Sequence, residues 1–194
     1  MAVLTHTMPP NNKSFSMKTR KFFSIALLPL LMLTLQHCDK NDPKPLTELE
    51  KLPPATQSGK RTFGCLVDGK AWVIEQITDV SAFYQTGTFG MYAGITNKLF
   101  YSVMSIHIDD QNLSETTYQL SEVNGVDSED ARYFDHRTSC EYLTGLEYGG
   151  TVTITHIDKI NFIISGTFEF EAYSEDCTKV VKVSDGRFDV HYAP

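Results

Sequence analysis

Two short stretches carry side chains whose types and spacing could do chemistry: His107-Ile108-Asp109-Asp110 and His156-Ile157-Asp158. Successive side chains of a strand alternate between faces, so a His and an Asp two positions apart project together. On neighbouring strands, His107, Asp109, His156 and Asp158 would converge as two imidazoles and two carboxylates. That set could hold a divalent cation or supply an acid and a base for hydrolysis. The competing reading is a polar strand face entering an Asp-containing turn. Asp135-His136-Arg137 is a third charged trio, and it reads as a solvated loop unless the fold gathers it.

Glu169, Glu171 and Asp189 are the carboxylates that glycosidase-type chemistry would use, provided two of them face each other across a cleft. Glu169 and Glu171 instead fall ~7 Å apart along one strand face, a spacing usual for solvent-facing rows. No GxSxG elbow, P-loop, GxGxxG or CxxC occurs. A non-catalytic alternative rests on aromatics. Tyr84, Phe89, Tyr92, Phe100 and Tyr101 could form a stacking platform for sugar rings, with Tyr84, Tyr92 and Tyr101 as ligand-binding candidates, or they could build a core.

The elements that must position these residues are strands. Thr62 to Val67 and Ala71 to Ile74 flank Asp68-Gly69, the dipeptide that a type I′ hairpin turn requires. Phe89 to Ile95 and Leu99 to Ile108 read as two more strands around a turn at Thr96-Asn97-Lys98. Thr116 to Leu120 is a short strand before a turn at Asn124-Gly125. Ala131 to Thr138 and Tyr142 to Leu146 follow, then Gly150 to Ile157, Asn161 to Tyr173 and Lys179 to Tyr192, with a bulge or hairpin at Asp185-Gly186. In Gly166 to Ala172 aromatics take one face and carboxylates the other, as in an antiparallel sheet with one wet side. The expected fold is all-β, an antiparallel β-sandwich or flattened β-barrel of about 8–10 strands. Trp72 is expected to plug one end of its core.

Past Cys38 stand Cys65, Cys140 and Cys177. Cys140 and Cys177 fall at loop edges and are the expected disulfide, whereas Cys65 lies in an apolar alternation and reads as a small core residue. The three cysteines lack the paired CxxC spacing of a zinc site, and no cofactor is expected.

Upstream, Lys18, Arg20 and Lys21 precede a 14-residue apolar run from Phe22 to Leu35, too short to span a bilayer and of signal-peptide length. Leu35-Gln36-His37-Cys38 resembles a bacterial lipobox, which makes Cys38 the expected lipidation site, although His37 stands where that pattern carries a small residue. Residues 1–16 read as an upstream extension, 17–37 as a lipoprotein signal peptide, 38–60 as the lipidated Cys and a Pro-rich tether, and 61–194 as one β-domain. The tether could reach roughly 70 Å if extended. Residues 38–194 carry 13 Lys and Arg against 24 Asp and Glu, a net charge of −11. That balance argues against nucleic acid as a partner, because phosphate needs basic patches.

The stretches FGCLVDGKAW, ETTYQL, ARYF, ISGTFEF and VSDGRFDVHY together resemble a group of uncharacterised β-rich lipoproteins of Bacteroidota, over Phe63 to Tyr192. The resemblance implies fold and compartment and supplies no catalytic residue. The expectation is therefore a lipid-anchored cell-envelope protein, an outer-membrane lipoprotein facing the periplasm or the surface. Its domain would be a binding module for a glycan, a peptide or a partner lipoprotein. The alternatives are a divalent-metal hydrolase built on the His-Asp clusters, and a structural or inhibitory module presenting the acidic loop from Asp109 to Asp130.

Overall fold

A computed structural model of the chain describes residues 44–74, 76–96, 101–121 and 129–194. The expected extension, signal peptide and Cys38 lie outside those residues, as do Asn97, Lys98, Phe100 and the Asn124-Gly125 turn. Eleven strands are present among the described residues: β1 (Thr62–Val67), β2 (Lys70–Val73), β3 (Val80–Gln85), β4 (Thr88–Thr96), β5 (Tyr101–Asp109), β6 (Thr117–Leu120), β7 (Asp130–Asp135), β8 (Cys140–Leu143), β9 (Gly150–Asp158), β10 (Ile163–Ser174) and β11 (Lys179–His191).

Nine of them form one antiparallel path, β2-β1-β11-β10-β8-β7-β5-β4-β3, that curls into a half-barrel. β9 pairs with β10 and carries β6 on its far side. β10 therefore has two partners along one edge: β9 over Ile163 to Phe170, and β8 at the single register pair Tyr173 and Leu143. The open end of the path is tied back by the chain terminus. Ala193 donates its N–H to the Ala82 carbonyl at 2.9 Å, and Tyr84 donates its N–H to the Ala193 carbonyl at 2.8 Å.

Local chemistry accounts for the turns. Asp68 at φ 48° and Gly69 at φ 75° make the expected two-residue hairpin between β1 and β2. At Asp185-Gly186 the registers of β11 with both β1 and β10 slip by one residue, which is the expected bulge. Gly186 is required there: a Cβ would lie 2.5 Å from the Phe168 carbonyl oxygen and 2.5 Å from its ring. β3 was not among the expected strands. Its turn, Thr86 at φ 52° and Gly87 at φ 88°, lacks the Asn-Gly or Asp-Gly signature.

The inward rows of the strands fill the interior with side chains. Phe63, Phe89, Met91, Met104, Ile106, Ile108, Ile154, Ile164 and Phe188 are all nearly or wholly inaccessible, each stabilising the fold by about 1.5–3 kcal/mol through burial. Trp72 bridges the curl: its indole N–H donates to Ser102 Oγ of β5 at 2.9 Å, and its ring meets Phe63 and Tyr133 edge-on. Cys65 is buried and free, and Cys140 is joined to Cys177 with a Cα–Cα distance of 5.9 Å, linking β8 to the β10–β11 turn.

The Pro-rich segment expected as a tether is in part a docked arm. From Pro45 onward it belongs to the same compact unit as the strands. Leu52 is buried, and Pro53 lies so close over Gly64 that a Cβ there would approach it to 2.7 Å. Glu48 accepts the Ala71 N–H at 2.8 Å, satisfying an edge amide of β2. Residues 56–60 fold over Asp189, whose carboxylate accepts from Thr56 Oγ1 (2.6 Å), the backbone N–H groups of Ser58 (3.0 Å), Gly59 (2.8 Å) and Lys60 (3.1 Å), and Ser165 Oγ (2.8 Å). The reach calculated for a free 22-residue tether does not apply to this arm.

Candidate functional site

The two His-Asp clusters are not brought together. His107 lies on β5, whose neighbours are β4 and β7, and His156 lies on β9, whose neighbours are β10 and β6. The condition for a shared metal or acid/base set, adjacent strands, is not met. Among the described residues no three His, Cys, Asp or Glu side chains are grouped to hold a metal. Asp158 caps the turn after β9, accepting from Ile160 N–H (2.8 Å), Asn161 N–H (2.9 Å) and Asn161 Nδ2 (2.7 Å). The Asn161 side chain, then the two backbone donors, hold its carboxyl below the usual carboxylate range. Asp109 pairs in register with Thr88 on β4, and His156 Nδ1 lies 3.7 Å from Glu115 Oε1. Asp135 accepts the Arg137 N–H at 3.0 Å, so the third trio is a turn. Glu169 and Glu171 are exposed while Asp189 is sealed beneath the arm, so these carboxylates do not face one another across a cleft.

His107 finds other partners. Register places it opposite Gly90 of β4 and Asp130 of β7, on the outer face of the sheet. Its Nδ1 lies 2.8 Å from Asp130 Oδ1, and its Nε2 lies 2.6 Å from the Tyr92 hydroxyl. An ionised carboxylate only accepts, so Nδ1 carries the proton, and in neutral His107 the Tyr92 O–H donates to Nε2. Arg132 Nε donates to the other Asp130 oxygen at 3.0 Å. Burial raises the Asp130 carboxyl, but the bonds from His107 and Arg132 outweigh it and set it below the usual range. The result is a fixed chain, Tyr92–His107–Asp130–Arg132. Asp130, Arg132, Phe83 and Phe134 escaped the sequence reading. The available signal was the alternation Asp130-Ala131-Arg132-Tyr133, which marks Asp130 and Arg132 as one outward row.

Aromatic groups extend this face. Phe83 lies over Gly90, where a Cβ would come within 2.4 Å of its ring, and stacks on Tyr92 with centroids 6.4 Å apart. Tyr101, four residues before Ser105 (the register partner of Tyr92), lies about 13 Å along β5 from it. It packs on Phe134 at 5.6 Å and on His136 at 4.5 Å. Tyr92 and Tyr101 are each 40% exposed. Of the three tyrosines expected to form a platform, these two share the outer face. Tyr84 does not join them, because its register partner is the core residue Phe89. It packs against the core, and its hydroxyl lies 2.9 Å from both the Asp110 and Gln111 carbonyl oxygens, which share its one proton.

The interior is packed with side chains, and the outer face of β3, β4, β5 and β7 presents the aromatics and the polar chain. Fold and site together define an all-β protein with its candidate binding surface on the outside of a curled antiparallel sheet. The chain belongs to the family described as a domain of unknown function (DUF6252), whose model matches residues 76–190 and so takes in every residue of this face. No curated protein and no solved structure matches the chain.

Proposed function

We propose that this chain is a non-catalytic binding module of the cell envelope, anchored by lipid on Cys38, which holds an oligosaccharide on the outer face of β3, β4, β5 and β7. The observation carrying the ligand class is the pairing of two exposed aromatic clusters with fixed polar groups on one sheet face. Phe83 with Tyr92, and Tyr101 with Phe134, offer apolar faces about 13 Å apart along the strand to sugar C–H surfaces. Beside Tyr92, the His107–Asp130–Arg132 chain has its partners and geometry already set, so little ordering remains for a ligand that binds against it. The net charge of −11 over residues 38–194 disfavours nucleic acid. A metal hydrolase finds no support in the placement of His107 and His156 on separated strands.

Two experiments test this reading. A glycan array probed with the chain, followed by titration of a hit against Tyr92→Ala and Tyr101→Ala, should show binding weakened about tenfold in each variant. Selective capture of peptides, or no glycan binding at all, would reject the sugar platform. Radiolabelled palmitate should enter the wild type and not Cys38→Ser, which should also leave the membrane fraction. Lipid incorporation into the variant would reject the anchor.

A further inference from the structure

A second feature lies on the outer face of β8, β10 and β11, beside the aromatic face: Glu141 and Leu143 of β8 pair in register with Phe134 and Arg132 of β7. Three apolar or aromatic side chains form a row across adjacent strands: Leu143 pairs in register with Tyr173, and Tyr173 with Val180. Tyr148, from the loop after β8, stacks on Tyr173 with centroids 5.4 Å apart and planes 16° from parallel. Leu146 of the same loop is 82% exposed and Val180 41%. Where β8 and β9 separate along the edge of β10, Leu143, Leu146, Tyr148 and Tyr173 line an open groove of about 620 Å³.

The groove is acidic at its rim. Glu141 and Asp176 adjoin the two half-cystines, so the Cys140–Cys177 bond fixes these two carboxylates at the groove wall. Glu147 and Glu175 complete the lining. None of the four forms an ion pair among the described residues, whereas Glu171, further along β10, is matched by Lys182 at 3.9 Å. An apolar, aromatic floor under unneutralised carboxylates fits an alkyl stem ending in a cation: the stem covers leucine and tyrosine, and the charge meets both the ring faces and the carboxylates.

We propose that this groove receives an extended basic peptide segment of a partner protein and seats its lysine or arginine side chains on Tyr148 and Tyr173. A small polyamine would satisfy the charge but leave Leu143 and Leu146 uncovered, so a peptide with apolar residues between its cations is the better match. The groove adjoins the sugar platform across the β7–β8 ladder, but its argument does not rest on that platform.

The test is an NMR titration of the chain with three probes: acetyl-Leu-Lys-Leu-Lys-Leu-Lys-amide, the same peptide with Glu for Lys, and spermidine. Binding of the lysine peptide alone, with shifts centred on Leu146, Tyr148 and Tyr173, is expected. Glu147→Gln combined with Glu175→Gln should weaken it about tenfold, as should Tyr148→Ala, while Tyr92→Ala leaves it unchanged. The glutamines replace exposed side chains and need not disturb folding, which an unchanged melting curve would establish. No binding, equal binding of spermidine, or affinity retained in both groove variants would overturn the proposal.

Discussion

Replacing Asp189 by Asn should remove about 3 kcal/mol of stability, although the two side chains have the same shape. The carboxylate accepts five hydrogen bonds, three from successive backbone N–H groups of Ser58, Gly59 and Lys60 and two from the Thr56 and Ser165 hydroxyls. Burial alone would raise its pKa, but the donors outweigh burial and bring it from an ordinary 3.8 to about 2. That gap corresponds to about 2.5 kcal/mol of preference for the charged form in the folded state. Asn is neutral, and its amide nitrogen turns a donor toward donors already in place. An unpaired buried group costs about 1–3 kcal/mol, a penalty that overlaps with the lost charge preference and does not add to it in full, so about 3 kcal/mol is the central expectation. For a domain of this size the melting temperature should fall by roughly 6–12 °C.

Because the folded-state pKa is the depressed one, the wild type has this contribution in full above pH 3.8 and loses it as pH falls toward about 2. Asp189→Asn should lack that part of the acid dependence. Urea unfolding of both proteins, followed by tryptophan fluorescence from neutral pH down into that window, measures the two effects together. Amide exchange should also quicken at Ser58, Gly59 and Lys60. A loss under about 1 kcal/mol, or an identical acid slope in the variant, would refute the clasp as a source of stability.

Further expectations follow from the core and the crosslink. Cys65 is wholly buried and burial pushes its thiol well above the ordinary range, so it should resist a thiol reagent in the native state and react on unfolding; fast native labelling would contradict its placement. Reducing the Cys140–Cys177 bond, which closes a 37-residue separation, should lower unfolding stability by about 3–4 kcal/mol in a denaturant series with and without reductant. Trp72→Phe keeps an aromatic ring but removes the indole donor to Ser102 Oγ and leaves a void between β2 and β5, so chemical unfolding should show a loss of about 2 kcal/mol.

The legible part of the sequence was the local part. Asp68-Gly69 announces its hairpin because positive φ at both central residues narrows the choice of side chain, and Asp185-Gly186 announces its bulge for a related reason. The alternation of Phe168 and Phe170 with Glu169 and Glu171 states which side of β10 is wet. Register was not legible. Tyr84 and Tyr92 look equivalent in the chain, yet cross-strand pairing with Phe89 draws Tyr84 inward, and pairing with Ser105 leaves Tyr92 outside. His107 was recognisable as a chemical residue, but its partner Asp130 lies 23 positions away and is found only through the β5–β7 ladder. The docking of residues 56–60 depends on Asp189, 129 to 133 residues distant, so a Pro-rich stretch that reads as a linker becomes part of the domain.

The central claim is that the outer face of β3, β4, β5 and β7 holds an oligosaccharide, and chemical-shift mapping with a glycan-array hit tests it most directly. Perturbation confined to Phe83, Tyr92, Tyr101, His107, Arg132 and Phe134, and lost in Tyr92→Ala, is the predicted result. Shifts centred elsewhere, or a hit that binds Tyr92→Ala and Tyr101→Ala as tightly as wild type, would contradict it.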